Sequence, residues 1–113
     1  MPRLTTKSEA DKAAKIIQRD FQMIQGTYEK VYLFLIKEDF EMVDKIEGAL
    51  IRYIPGLASK FAKYSRRPLK ESIDVYDKYT QEVRQEIYQQ AKAYINNQKQ
   101  TNESTETDTT ASN

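Results

Sequence analysis

The chain has 113 residues, 18 of them basic and 17 acidic, and contains neither Cys nor His. That length is enough for one modest hydrophobic core. The missing residue types exclude disulfides, thiolate nucleophiles, His general bases and zinc sites built on Cys or His. With 3 Gly, 3 Pro and no Trp, the turn residues of an all-β sandwich or barrel are lacking, so the composition points to an all-α domain.

The first residues, MPRLTTKSEADK, are polar and lack the apolar segment of a signal peptide. The longest apolar run, Val31–Ile36, is far short of the ~20 residues that span a bilayer. The expectation is a cytoplasmic chain without membrane contact. Ser8 with Asp11 has the form of a capping box, and Thr6 with Glu9 is a second candidate. From there Ala10, Ala14, Ile17, Phe21, Ile24, Tyr28, Val31 and Leu35 recur in alternating steps of four and three. This is a heptad seam along one face of a helix predicted over 8–36. Gly26 costs ~1 kcal/mol inside a helix, yet the seam keeps phase across it, so the glycine is either tolerated or closely packed. Val31–Ile36 predicts a helix end buried on several faces rather than a strand, with apolar surface around Tyr32, Phe34 and Ile36 available to a neighbouring subunit.

Asp39 can cap a second helix over 39–54. Its apolar residues form two stripes, Phe40, Val43, Leu50, Ile54 and Met42, Ile46, Ala49, Tyr53. Proline suits the first turn of a helix, so Pro55 predicts a separate short helix over 55–65 with Leu57, Phe61 and Tyr64 inward. Arg67 precedes Pro68 and is biased toward an extended backbone. Pro68 opens the last helix, over 68–97, with Leu69, Ile73, Tyr76, Thr80, Val83, Ile87, Ala91 and Tyr94 inward. From Gln98 on, QKQTNESTETDTTASN holds a single apolar residue, Ala111, and predicts a disordered polar C-terminal tail over 98–113. The expected fold is an all-α antiparallel three- to four-helix bundle over 1–97.

Carboxylates at helical spacing, Glu38, Glu41, Asp44 and Glu47 and then Glu71, Asp74 and Asp77, could face each other across a di-metal centre. The helical carboxylate proteins add His ligands, which this chain lacks, so both rows are assigned to solvated faces. Gly26, Gly48 and Gly56 are isolated and make no phosphate loop. No catalytic activity, cofactor or metal is expected.

The informative stretch is Arg52–Lys70, RYIPGLASKFAKYSRRPLK. It carries six cations (Arg52, Lys60, Lys63, Arg66, Arg67, Lys70) and no acid, which leaves a balance of −5 elsewhere. Lys60, Lys63 and Arg67 are spaced to share one helical face, opposite Leu57, Phe61 and Tyr64. Arg forks onto phosphate oxygens and Lys acts as a point charge, so this segment has the footprint of nucleic-acid backbone contact, insensitive to sequence. Tyr53 and Tyr64 border it and suit either half-buried packing or stacking on unpaired bases. The rival assignment is a protein–protein adaptor or inhibitor, or a structural subunit of another assembly, with a basic end that docks on an acidic partner.

The stretch LIRYIPGLASKFAKYSRRPLKESID, together with the later AKAYI, resembles the central and closing regions of the small all-helical subunits of multisubunit CRISPR effector (Cascade-like) complexes, over about residues 50–95. The resemblance implies a non-catalytic subunit that lines a ribonucleoprotein and stabilises the bound target or displaced strand. Arg52, Lys63, Arg66 and Arg67 would then contact the backbone. It also implies larger protein subunits, and further copies of the chain itself, as partners.

Overall fold

The computed structural model describes residues 7–112, with side chains described over 7–99. These residues form three helices, α1 (Lys7–Ile36), α2 (Phe40–Ser65) and α3 (Leu69–Ser112), with no strand among them. Each helix packs against both others.

α1 begins at Lys7, so Ser8 lies inside the helix and does not cap it, while Thr6 lies outside the described residues. Its buried face reads Ala13, Ile16, Asp20, Ile24, Tyr28, Val31, Leu35. The expected seam holds from Ile24 onward. Before Ile24 it is displaced: Ala10 and Ala14 are exposed, and Ile17 and Phe21 are half-buried. The cause is Asp20, which its charge disqualifies from a hydrophobic count. Its carboxylate accepts a 2.7 Å hydrogen bond from the Tyr76 hydroxyl and so occupies a core position. Val31–Ile36 is helical as expected, with Phe34 and Ile36 packed on the core and Leu33 exposed.

Close packing is not the reason for Gly26, since nothing lies within 4 Å of where a Cβ would stand. Gly26→Ala is therefore expected to stabilise the fold by up to ~1 kcal/mol. That corresponds to a rise of several degrees in the thermal midpoint. A lowered midpoint in a melting experiment would contradict this.

α1 ends in a Schellman turn. Glu38 adopts the left-handed conformation (φ 59°), its N–H donates to the Leu35 carbonyl at 2.9 Å, and the Asp39 N–H donates to Phe34 at 2.9 Å. Asp39 then caps α2, as its sequence position suggests, by accepting from the Met42 N–H at 3.3 Å. The α2–α3 connection also uses a left-handed residue, Arg66 (φ 59°), and there the Arg66 and Arg67 N–H groups both donate to the Ala62 carbonyl.

The predicted break at Pro55 does not occur: α2 runs through it as one helix, so the described chain has three helices rather than four. Proline costs ~3 kcal/mol in a helix interior. Here Val43, Glu47, Leu50, Ile54, Ala58 and Phe61 keep helical phase on both sides of it and are all buried. Pro55 and Ile51, whose carbonyl loses its partner, are exposed, so water can satisfy that carbonyl. The second expected stripe is not a core face, since Met42, Ala49 and Tyr53 are exposed and only Ile46 is half-buried; Phe40 of the first stripe is exposed as well.

On α3, Ser72, Tyr76, Thr80 and Ala91 are buried and Ile73, Val83 and Ile87 half-buried. Leu69 and Tyr94, both expected inward, are exposed. Leu69 stands on the first turn of α3, and the Tyr94 ring lies edge-on to Tyr32 at 6.3 Å. Tyr76 centres the core. Its ring lies edge-on to Phe21 at 5.4 Å and tilted to Phe61 at 5.8 Å. Beyond Gln98, where a disordered tail was expected, α3 continues as helix to Ser112. The segment is polar, but no Gly or Pro follows Pro68 to stop a helix.

The Ser72 hydroxyl is fully buried and has no hydrogen-bond partner among the described residues. An unsatisfied buried hydroxyl is a net cost, so Ser72→Ala should raise the unfolding free energy by about 1 kcal/mol. Denaturant titration checks this, and a loss of stability would mean that the hydroxyl is satisfied.

Candidate nucleic-acid interface

The six cations of Arg52–Lys70 are all exposed, but they do not form a single face. Arg52, Lys60 and Lys63 project from α2 within an arc of about 80°, at ~100° per residue. Arg67, which the spacing assigned to the Lys60 face, lies beyond the end of α2 in the connection to α3. Two cations are also engaged by acids. Arg66 donates to the Glu9 carboxylate of α1 through Nη2 at 2.9 Å and Nε at 3.2 Å, and Arg67 lies 3.5 Å from Glu71. Lys70 stands on the first turn of α3. Among the described residues Arg52, Lys60, Lys63 and Lys70 form no ion pair.

The two tyrosines part ways. Tyr64 is half-buried, with the Lys12 ammonium 5.6 Å from its ring centroid. Tyr53 is 53% exposed. It lines a groove of about 600 Å³ between α1 and α2, shared with Arg52 and Lys60 and closed on the other side by Arg19 and Asp20. Arg19 escaped the sequence analysis because it lies 33 positions before Arg52, in a helix of mixed charge; only the packing of α1 on α2 brings them together.

No family model, curated protein or solved structure matches this chain. What the surface can do therefore follows from its side chains. An exposed α2 face with three uncommitted cations and an exposed aromatic ring can hold phosphates and offer a π-face to a base.

The two acid rows do not face each other. Glu38, Glu41, Asp44, Glu71, Asp74 and Asp77 are exposed, and no group of three or more Asp or Glu side chains is placed to hold a metal ion among the described residues. Glu47 departs from its row. Expected on a solvated face, it is 8% exposed and lies in the core. One carboxylate oxygen accepts from the Tyr28 hydroxyl at 2.7 Å and from Arg84 Nε at 2.7 Å, and the other accepts from the Tyr88 hydroxyl at 2.6 Å. The Arg84 guanidinium also stacks 4.3 Å over the Tyr88 ring. One carboxylate thus joins all three helices.

The electrostatics follow from this packing. Burial pushes the Glu47 carboxyl up, but the hydrogen bonds from Tyr88, Tyr28 and Arg84, together with the Arg84 charge, outweigh it and hold the group below the usual carboxylate value. The hydrogen bond to Glu47 raises Arg84. Burial, and then the Glu47 carboxylate, push Tyr88 up to about 12 and Tyr28 further still. Tyr76 is raised by burial and by its bond to Asp20. Both tyrosine hydroxyls and the Arg84 Nε–H are spent on Glu47, which makes this network a structural tie that holds α2, and so the basic face, in position. A signal for both buried acids exists in the sequence. Glu47 fills the gap between Val43 and Leu50, and Asp20 the gap between Ile16 and Ile24, each in helical phase with its apolar neighbours.

Proposed function

We propose that this chain is a non-catalytic, nucleic-acid-backbone-binding small subunit of a larger ribonucleoprotein, of the CRISPR effector kind, acting in the cytoplasm. Its three helices would pack as an antiparallel bundle. Supporting that arrangement, Glu9 near the start of α1 meets Arg66 after the end of α2, whereas Tyr28, late in α1, meets Glu47, early in α2. Phe61 meets Tyr76, and Glu47 meets Arg84, in the same reversed order along α2 and α3.

The observation that carries the function is the group Arg52, Lys60 and Lys63, exposed on one face of α2 and unpaired among the described residues, in a segment without an acid. A basic face whose charges are not neutralised by the protein itself has them available for phosphate. Such contacts position a strand without reading its sequence. The other cations of the segment, Arg66, Arg67 and Lys70, extend the positive end around the chain reversal. Larger subunits, and neighbouring copies of the chain, would dock on the exposed apolar residues Leu33 and Phe40.

The test is binding of fluorescent random-sequence single-stranded DNA and RNA across a salt series. Affinity that falls linearly in log–log form with salt, with little dependence on sequence, supports the proposal. Salt-insensitive or absent binding, with capture of an acidic protein instead, favours the adaptor assignment. No helix among the described residues is long and apolar enough to cross a membrane.

A further inference from the structure

The groove between α1 and α2 differs from the rest of the basic face in four respects. It is concave, with a volume of about 600 Å³, within the ~300–1,000 Å³ usual for small-ligand sites. Cations stand on both of its walls, Arg19 on α1 and Arg52 and Lys60 on α2. An exposed ring, Tyr53, lies between them. Gly56, one turn from both Arg52 and Lys60, also lines the groove, and a Cβ there would meet nothing within 4 Å.

We infer that this groove seats one unpaired nucleotide of a single strand, an inference that rests on the nucleic-acid function proposed above. The base stacks on Tyr53, which is 53% exposed and lines the groove. The flanking phosphates lie against Arg52 and Lys60 on one wall and Arg19 on the other, where forked and point-charge contacts are both provided. Asp20 lies at the inner end of the groove and uses one oxygen for the Tyr76 hydroxyl. A carboxylate has acceptor capacity beyond one such bond, so it can take a further hydrogen bond from a base amine or a sugar hydroxyl, while its charge keeps the phosphates toward the outer rim. Any side chain at position 56 would stand in the space that the nucleotide occupies. A duplex, with its bases stacked internally, cannot use the seat and is left with the phosphate contacts alone.

The experiment compares short fluorescent oligothymidylate and oligouridylate with a duplex of equal charge, at one salt concentration, on the full chain. Gly56→Leu adds bulk only to the groove and replaces a poor helix former by a good one, so the variant folds. Tyr53→Ala removes the stacking platform, and Tyr53→Phe keeps it. Gly56→Leu and Tyr53→Ala should each weaken single-strand binding about ten-fold, leave duplex binding unchanged, and in the case of Tyr53→Ala leave the salt slope unchanged; Tyr53→Phe should bind as the parent does. If Gly56→Leu and Tyr53→Ala bind single strands as the parent does, while charge reversal of Arg52, Lys60 and Lys63 removes binding, the seat is overturned and the phosphate-contacting face stands. If the parent binds neither single strand nor duplex, both fall together.

Discussion

Arg52→Glu, Lys60→Glu and Lys63→Glu, introduced together, are expected to remove most nucleic-acid affinity while leaving the fold intact. All three side chains are exposed, and none holds an ion pair among the described residues. Surface changes of this sort usually move stability by less than ~0.5 kcal/mol each. Losing three phosphate contacts to a single strand removes the release of about two counterions, which alone weakens binding ~50-fold at 0.15 M salt and flattens the log–log salt slope by about 2. A comparison variant with the same change in net charge, Lys30→Glu, Lys78→Glu and Lys92→Glu, should lose much less. Arg66 and Arg67 are poor choices for this test. Arg66 bridges α1 to the α2–α3 connection through Glu9, and inverting its charge would set two acids against each other. If the Arg52/Lys60/Lys63 variant binds with the affinity and salt slope of the parent, this face is not the contact surface.

The second large effect is on stability. Glu47→Gln is expected to cost about 2–4 kcal/mol, because three donors converge on a carboxylate that is nearly buried and an amide cannot accept from all of them. For a domain of this size that is a fall of about 8 °C or more, at about 4 °C or more per kcal/mol. Glu41→Gln and Asp44→Gln, on the exposed side of the same helix, should be near neutral. The network also predicts a pH profile. Glu47 has a folded-state value held below its ordinary 4.5, so its contribution is complete above about pH 4.5 and is lost as the pH falls through the folded value. Tyr88 has the opposite sign. Its value is raised from 10.0 to about 12, so its contribution is complete below about pH 10 and is lost as the pH climbs toward 12. Denaturant titrations from pH 3 to pH 11 follow both limbs. The acid limb should flatten in Glu47→Gln and the alkaline limb in Tyr88→Phe. A Glu47→Gln variant as stable as the parent, with an unchanged acid limb, would show that the carboxylate does not tie the helices.

The helical class, the position of the Asp39 cap, the placement of Val31–Ile36 in a helix and most of the buried apolar residues could be read from the amino-acid pattern. Each depends on local chemistry: steps of three and four bring side chains to one face, and a short acidic side chain can reach the free N–H groups of the turn that follows it. Pro55 shows where local chemistry stops. Its missing N–H is a local fact, but whether a helix breaks there depends on what the residues on either side bury, and Ile54, Ala58 and Phe61 are all held by the same core. Asp20 and Glu47 mark a similar limit. A charge predicts solvent until a partner on another helix is known, and Tyr76, Tyr28, Tyr88 and Arg84 become partners only when the helices pack. The six cations were legible as a group from composition alone. The Arg67–Glu71 pair is local, four positions apart, but Glu9 taking Arg66 and Arg19 arriving opposite Arg52 were decided by tertiary structure, because that salt bridge and that groove join residues distant along the chain.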